Sequence, residues 1–250
     1  MQSDEKIFIT GASSGIGAAM AIEYAKREAI LGLVARRKDK LSDIAKQCSD
    51  QGANSVETYS LDVTDEKLSA EIAKEFMTMA DGIDVVVANA GLALPDHMSA
   101  GNSAQINQVL NTNIMGVTNT IIPFIPRLKE QKRGKLVIVS SIASFMPMSF
   151  FGGYSASKVA VRRLSDSWRG TLKKHNIQVT TICPGYVKSE MTKVMNESQM
   201  PFLMDTDVAA RKIIRAIDVG KKTYIFPWQL RYLITAMKPF PDKLLLKLLS

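Results

Sequence analysis

The sequence predicts one doubly wound α/β domain, a Rossmann-type parallel sheet of about seven strands, from three observations. Short strand-like runs alternate with longer helical patterns, these runs are apolar on both faces, and residues 10–17 form a glycine-rich turn directly after the first run. Strands buried on both faces and separated by helices are typical of a parallel sheet covered on two sides. The 250 residues suit a single domain of this class.

Six strands and the helices between them follow from this alternation in chain order. The strands are predicted at residues 6–10, 30–35, 55–61, 83–88, 135–140 and 177–183. The helices are predicted at about 15–28, 38–51, from 65, at 103–131 and at 154–175. Residues 184–204 break the rhythm as a methionine-rich connection, interpreted as a substrate loop or lid. Residues 224–250 are apolar and basic with three prolines, and they do not resemble a further strand–helix repeat.

Composition excludes several classes of protein. A hydrophobic share of 46% and a charged share of 22% exclude a disordered chain, a collagen and a disulfide scaffold. Cys48 and Cys183 lack metal-ligand spacing, and His97 and His175 lie far apart, so we expect no metal site. The first residues do not resemble a secretory signal, and no uncharged apolar stretch is long enough to span a bilayer. We therefore expect a cytoplasmic protein.

The net charge of +8 is unevenly distributed along the chain. Residues 221–250 contain six lysines and arginines against Asp242 alone, interleaved with aromatic and leucine side chains. One interpretation of this pattern is peripheral contact of residues 224–250 with an anionic membrane surface. Packing over the substrate loop or against another subunit is the alternative. No nucleic-acid motif accompanies the basic residues, so we expect no nucleic-acid partner.

The glycine-rich turn predicts a dinucleotide site. Glycine lets the backbone turn sharply and lets a pyrophosphate approach it closely, and the N-terminus of the following helix presents free N–H groups. Position after the first strand and before the first helix distinguishes this turn from an ordinary glycine-rich loop. The residues expected to contact the cofactor here are Gly11, Ser13, Ser14, Gly15, Ile16 and Gly17.

A second constellation predicts catalysis. Tyr154 and Lys158 are four residues apart, so they share one face of a helix. Such a pair is common by chance, but Ser141 stands at the end of the fifth predicted strand, where open α/β sheets bind ligands. These three side chains are therefore expected to converge on one site. No nucleophile-elbow glycines flank the serine, which disfavours a hydrolase.

Together these motifs resemble the short-chain dehydrogenase/reductase family over about residues 5–220. The matching pieces are residues 10–17, Asp62-Val63, Asn89-Ala90-Gly91, Asn113, Ser141, Tyr154 to Lys158 and Pro184-Gly185. The resemblance implies hydride transfer to or from a nicotinamide, with Tyr154 as general acid or base. It also implies that Lys158 lowers the pKa of the phenol and holds the nicotinamide ribose, while Ser141 donates to the developing oxyanion. Asn113, preferred over Asn111 on family spacing, would position a water for proton relay.

The resemblance also assigns cofactor contacts beyond the glycine-rich turn. It places Asp62 at the adenine, with the backbone of Val63 donating beside it, although Asp62 could equally cap the next helix. Asn89 would steady the sheet beside the cofactor. This chain departs from the family pattern at Ala88, where the family commonly has another asparagine. The remaining contacts implied are Ala90, Gly91, Pro184, Gly185, Val187 and Ser189.

The end of the second predicted strand predicts which cofactor binds. Dinucleotide folds read the adenosine ribose about 20 residues after the glycines, with a carboxylate for NAD or an arginine for the 2′-phosphate of NADP. Here the chain reads Ala35-Arg36-Arg37-Lys38, with no carboxylate. Guanidinium groups pair with phosphate in bidentate fashion. Arg36 and Arg37 therefore predict NADP(H), and they disfavour an NAD-dependent enzyme.

Apolar side chains before Tyr154 and after Pro184 predict an apolar small-molecule substrate, a ketone, aldehyde or alcohol. The candidates are Phe145, Met146, Met148, Phe150, Phe151, Tyr186, Met191, Val194, Met195, Met200, Phe202, Leu203 and Met204. Packing in a lid or a subunit interface is the alternative interpretation of the same residues. The resemblance implies a homodimer or homotetramer through two long helices. The other functional hypothesis is a non-catalytic nucleotide sensor or scaffold on the same fold.

Overall fold

Seven parallel strands form one sheet in the computed structural model, which describes residues 4–96, 102–146, 148–193, 196, 198 and 200–237. The strands are β1 (Lys6–Thr10), β2 (Ile30–Ala35), β3 (Ser55–Ser60), β4 (Val85–Ala88), β5 (Gly134–Val139), β6 (Ile177–Pro184) and β7 (Thr223–Phe226). Their order in the sheet is β3-β2-β1-β4-β5-β6-β7. The order therefore reverses between β1 and β4, which creates a crevice at the carboxyl ends of these two strands.

Helices cover both faces of the sheet. They are α1 (Gly15–Ala25), α2 (Lys38–Asp50), α3 (Glu66–Met79), α4 (Ala104–Leu110), α5 (Gly116–Ile121), α6 (Ile125–Gln131), α7 (Gly152–Leu172), α8 (Thr206–Asp218) and α9 (Trp228–Met237). Residues of α1, α2 and α8 pack on one face with Ile7 and Ile9, and residues of α3, α5, α6 and α7 pack on the other with Phe8. Successive side chains of β1 thus enter opposite cores, as the two-residue period of a strand requires.

Glycine at position 32 shows how closely the second core is packed. Gly32 pairs with Phe8 in the register of β1 and β2. A Cβ atom at this glycine would lie 2.7 Å from both the Phe8 and the Phe76 rings. The Phe8 ring also lies 4.8 Å from the Phe124 ring, centroid to centroid. The missing side chain therefore makes room for an aromatic cluster that ties α3 to the sheet.

The structure confirms the predicted fold class and strand count, and it differs from the predicted elements in two places. The helix expected at 103–131 is divided by a π-helical turn at Asn111–Met115 and a 3-10 turn at Ile122–Phe124, the second containing Pro123. The expectation that the chain from 224 onward forms no strand–helix unit is wrong. Thr223–Phe226 pairs with β6 as the seventh strand, and α9 follows it.

Parts of three expectations lie outside the described residues. These are His97, Val194 and Met195, and residues 238–250 of the C-terminal segment. None of the described helices is long and apolar enough to cross a membrane. Within the same part of the chain, no three metal-ligating side chains come together.

Candidate active site

A cavity of about 1000 Å³ opens at the carboxyl ends of the strands, where the strand order reverses. It runs from Arg36 and Asp62 at the ends of β2 and β3 to Tyr154 and Lys158 on α7. All but two of the predicted catalytic and cofactor residues line it. The two exceptions are Gly17 and Asn113, which lie behind the lining residues.

The glycine-rich turn is packed directly against Asn89. The Asn89 amide donates to the carbonyl oxygens of Thr10, at 3.0 Å, and Gly11, at 3.3 Å. A Cβ on Gly11, which has a φ of 68°, would lie 2.8 Å from that amide nitrogen. A Cβ on Gly17 would lie 2.4 Å from the Gly11 carbonyl oxygen. Only glycine allows these close approaches.

The N-terminus of α1 has the character of an anion site. Ser14 is the N-cap residue, but its side chain makes no capping hydrogen bond to the first turn. The first-turn N–H groups and the partial positive charge of the helix end therefore remain available to an anionic ligand in the cavity. The residues present thus fit the pyrophosphate of a dinucleotide.

Cationic side chains lie at the far end of the cavity. Arg36 forms an ion pair with Asp62 at 3.6 Å, and Arg37 donates to the hydroxyls of Ser13 and Ser14 at 3.2 and 3.0 Å. Arg37 also donates to Glu190 at 2.6 Å. Glu190 is a residue that the sequence did not single out, because 153 positions separate it from Arg37.

Asp62 does not cap the following helix. Its carboxylate accepts from the backbone N–H and the hydroxyl of Thr64, while Asp65 caps α3 by accepting from the Leu68 N–H. Partial burial works to raise the pKa of Asp62, but the Thr64 hydrogen bonds and the Arg36 charge outweigh it and lower the pKa. Asp62 is thus a charged cavity-lining carboxylate beside Val63, which also lines the cavity.

The predicted catalytic side chains converge as the sequence suggested. The Lys158 ammonium is buried, donates to the Val139 carbonyl at 2.9 Å and lies 5.6 Å from the centre of the Tyr154 ring. Tyr154 shares a hydrogen bond with the Ser141 hydroxyl. Strand β5 ends at Val139, so the strand end and α7 together position all three groups at one end of the cavity.

The electrostatics of this cluster differ from the sequence expectation. Burial raises the pKa of Tyr154, and the hydrogen bond with Ser141 only partly opposes this rise. The expected lowering of that pKa by Lys158 is therefore not seen in the protein by itself. Burial also lowers the pKa of Lys158 to about 8. Neighbouring Cys183 has its thiol pKa raised to about 11, again by burial, so it is a neutral group here.

Asn113 lies in the π-helical turn and joins three parts of the site. Its amide oxygen accepts from the Leu92 N–H at 2.7 Å, and its amide nitrogen donates to the Leu92 carbonyl and the Ser157 hydroxyl. A Cβ on Gly91 would lie 3.1 Å from the Asn113 oxygen and 3.4 Å from the Lys158 nitrogen. Asn113 thus connects the segment after β4 to α7, close behind Lys158.

The segment after β6 forms another wall of the cavity. Pro184, Gly185, Val187 and Ser189, which the resemblance implied as cofactor contacts, all line it. Gly185 packs closely on α9, since a Cβ there would lie 2.6 Å from the Leu230 side chain. The position of this wall therefore depends on a helix whose existence the sequence did not predict.

Only part of the predicted apolar set reaches the cavity. Met146, Met148, Phe151, Tyr186 and Met191 line it. Phe145 instead packs under the Arg162 guanidinium, Phe150 and Phe202 are exposed, Met200 is buried and Met204 packs on the core. Leu203 is half-buried outside the lining. Sequence reasoning missed the lining residues Leu92, Ala93, Pro95, Thr112 and Ile142.

Comparisons with known proteins agree on one family. The sequence profile of the family described as "short chain dehydrogenase" matches residues 5–200. An uncharacterized oxidoreductase of Myxococcus xanthus is 35% identical, over 94% of this chain and 92% of its own. A protein of Arabidopsis thaliana named 11-beta-hydroxysteroid dehydrogenase-like 2 is 31% identical, over 94% of this chain and 78% of its own.

Solved structures show the same fold. A short-chain dehydrogenase from Streptomyces avermitilis superposes with a TM-score of 0.83 at 23% identity, covering 95% of this chain and 93% of its own. A short chain dehydrogenase from Mycobacterium paratuberculosis, bound to NAD, superposes with a TM-score of 0.80 at 24% identity, covering 88% and 95%. At these identities the likeness establishes the architecture of the sheet and its helices.

Proposed function

This chain belongs to the short-chain dehydrogenase family and is an oxidoreductase, and we propose that it transfers hydride between NADP(H) and an apolar carbonyl or alcohol. One observation carries the proposal. Ser141, Tyr154 and Lys158 meet at one end of a cavity whose other end holds Arg36 and Arg37. One cavity, large enough for cofactor and substrate, thus contains both the proposed proton-transfer residue Tyr154 and the proposed phosphate-binding arginines.

The side chains at the reacting end have distinct tasks in this proposal. The cofactor, when bound, supplies the hydride or accepts it. Tyr154 gives a proton to the substrate oxygen during reduction and takes one back during oxidation. Its raised pKa keeps it protonated, and thus ready to donate, at neutral pH. Ser141 holds the same oxygen by a hydrogen bond, and the Lys158 charge stabilises the phenolate that forms.

The cofactor contacts are proposed from the same cavity. The uncapped N-terminus of α1 and the glycine-rich turn would hold the pyrophosphate, with Asp62 and Val63 beside the adenine. Arg36 and Arg37 would pair with the 2′-phosphate that distinguishes NADP from NAD. Pro184, Gly185, Val187 and Ser189 would wall the nicotinamide, and Asn89, Ala90 and Gly91 would support it from the end of β4.

The substrate and the quaternary structure complete the proposal. Methionine and aromatic side chains from residues 146–151 and 186–191 line the outer cavity, which favours an apolar substrate under a lid formed by the 184–204 segment. Exposed apolar side chains on the helical run from 104 and on α7, namely Met115, Ile122 and Val159, favour a dimer or tetramer through these helices.

The test is NADPH oxidation by the purified chain against a panel of apolar aldehydes and ketones, with NADH in parallel. We expect turnover with kcat/KM at least about tenfold higher for NADPH, a difference of about 1.4 kcal/mol. With Tyr154→Phe we expect turnover to fall by at least about 10²-fold. A preference for NADH would refute the choice of cofactor. Tight NADPH binding without turnover across the panel would instead favour a non-catalytic nucleotide sensor on this fold.

A further inference from the structure

Glu190 joins the segment after β6 to the beginning of α2. One carboxylate oxygen accepts from Arg37 at 2.6 Å, and the other pairs with the ammonium of Lys40. Glu190 and Arg37 line the cavity, and their side chains are 38% and 42% exposed, so solvent and ligand can reach both. The two cations hold the pKa of Glu190 at about 2, which keeps it an anion throughout the neutral range.

Arg37 is shared between two parts of the cavity. One of its terminal nitrogens donates a hydrogen bond to Glu190, and the other donates to Ser13 and Ser14 of the glycine-rich turn. Ser189, next to Glu190, lies against the same turn, since a Cβ on Gly15 would be 3.3 Å from its Cβ. The guanidinium therefore already has an anionic partner at the position where a ribose phosphate would arrive.

A carboxylate and a phosphate bind a guanidinium through the same N–H groups. Both take its N–H groups in charge-assisted hydrogen bonds, and two anions on one fork repel each other. A 2′-phosphate that binds Arg37 must displace Glu190 or lie beside its charge. In either case the phosphate binds less tightly than it would if the side chain at position 190 were neutral.

We propose that Glu190 is a specificity-determining residue that competes with the 2′-phosphate of NADP(H) for Arg37 and Lys40. This inference rests on the proposed cofactor. It implies that the chain binds NADPH more weakly than Arg37 and Lys40 would allow without Glu190. It also implies that NADPH binding replaces the ion pairs of Glu190 with ion pairs to the phosphate. The competition acts only on the phosphate, so it leaves NADH affinity nearly unchanged.

The experiment measures the dissociation constants of NADPH and NADH by cofactor fluorescence for the wild type, Glu190→Gln and Asp39→Asn. Asp39 is an exposed acid in the first turn of α2 and does not line the cavity, so it controls for the same change in net charge. We expect Glu190→Gln to tighten NADPH binding about fivefold, in the range of a partly exposed ion pair. We expect NADH to change less than about twofold, and Asp39→Asn to alter neither by more than that.

The outcomes separate this inference from the choice of cofactor. If Glu190→Gln weakened NADPH and NADH binding equally, Glu190 would only hold Arg37 and Lys40 in place. That result would overturn the proposed competition. A wild-type preference for NADPH that the variant leaves unaltered would also overturn it, while the proposed cofactor stands. A wild-type preference for NADH that the variant shifts toward NADPH would support the competition and refute the proposed cofactor.

Discussion

The Lys158 ammonium lies 5.6 Å from the centre of the Tyr154 ring, one turn further along α7. The Val139 carbonyl accepts a hydrogen bond from this ammonium at 2.9 Å, which fixes the cation relative to the phenol. Lys158 is buried and Tyr154 is half-buried in the cavity wall, where charges interact more strongly than in water. Burial shifts the pKa of each group toward its neutral form, upward for Tyr154 and downward for Lys158.

The phenol of Tyr154 is expected to carry the proton transfer. Replacing it with phenylalanine removes the donor and keeps the ring, so we expect kcat to fall by a factor of about 10² to 10⁴. Steady-state kinetics with NADPH and an active carbonyl substrate measure this fall. The dissociation constant of NADPH and the midpoint of urea unfolding serve as controls and should stay close to the wild type. Activity within a few-fold of the wild type would remove Tyr154 from the chemistry.

The lowered pKa of Lys158 predicts how reduction depends on pH. Burial disfavours the ammonium and brings its pKa from 10.5 to about 8, so the cation is present below that pH and is lost above it. We expect kcat/KM for carbonyl reduction to be level below pH 8 and to fall as pH rises through it. Lys158→Arg keeps a charge above that pH and should flatten the profile, at a lower rate. A wild-type profile that stays level well above pH 8 would contradict this assignment.

Local patterns predicted most of this fold, and long-range packing accounts for what they missed. The glycine-rich turn, the first six strands and the Tyr154–Lys158 pair each depend on residues close in sequence. Strand β7 has only four residues and ends next to Pro227, so its identity depends on its pairing with β6. Likewise, the raised pKa of Tyr154 comes from burial, and the Arg37–Glu190 contact joins residues 153 positions apart. Neither has a local signal.

The positive charge of Arg36 should favour NADPH over NADH. The Arg36 side chain is 57% exposed, and its guanidinium forms a 3.6 Å ion pair with Asp62, so it can turn toward a 2′-phosphate. We expect Arg36→Gln to weaken NADPH binding by about tenfold, the worth of one charge-assisted contact, and to leave NADH within about twofold. Arg163→Gln removes an exposed charge of the same kind from α7, outside the cavity, and is the control. Equal losses for both cofactors would contradict a phosphate-reading role.

The membrane interpretation of residues 224–250 can be tested by vesicle flotation. Thr223–Phe226 belongs to the sheet, so deleting residues 224–250 would disrupt the fold as well as any lipid contact. The outward side chains of α9, namely Trp228, Tyr232 and Leu233, are at least half exposed. We expect the full chain to float with phosphatidylserine vesicles, and both a 238–250 deletion and a Trp228→Gln/Leu233→Gln variant to float less. Equal flotation of all three, or none for the full chain, would refute the contact.

Two glycines in helices should respond to alanine in opposite directions. At Gly17 a Cβ would meet the Gly11 carbonyl oxygen at 2.4 Å and the Asn89 amide at 2.6 Å, so the turn must shift. At Gly170, exposed near the end of α7, a Cβ meets nothing within 4 Å. We expect Gly17→Ala to lower the free energy of unfolding by about 1–3 kcal/mol, as overpacking does, and to weaken nucleotide binding.

Gly170→Ala should instead raise the free energy of unfolding by up to about 1 kcal/mol, since alanine loses less backbone entropy in a helix. Urea unfolding of both variants, with NADPH titrations alongside, measures the contrast. If Gly17→Ala were as stable as the wild type, the close contact between the turn and Asn89 would be incorrect. If it were less stable yet bound NADPH normally, the geometry of the turn would matter for folding alone.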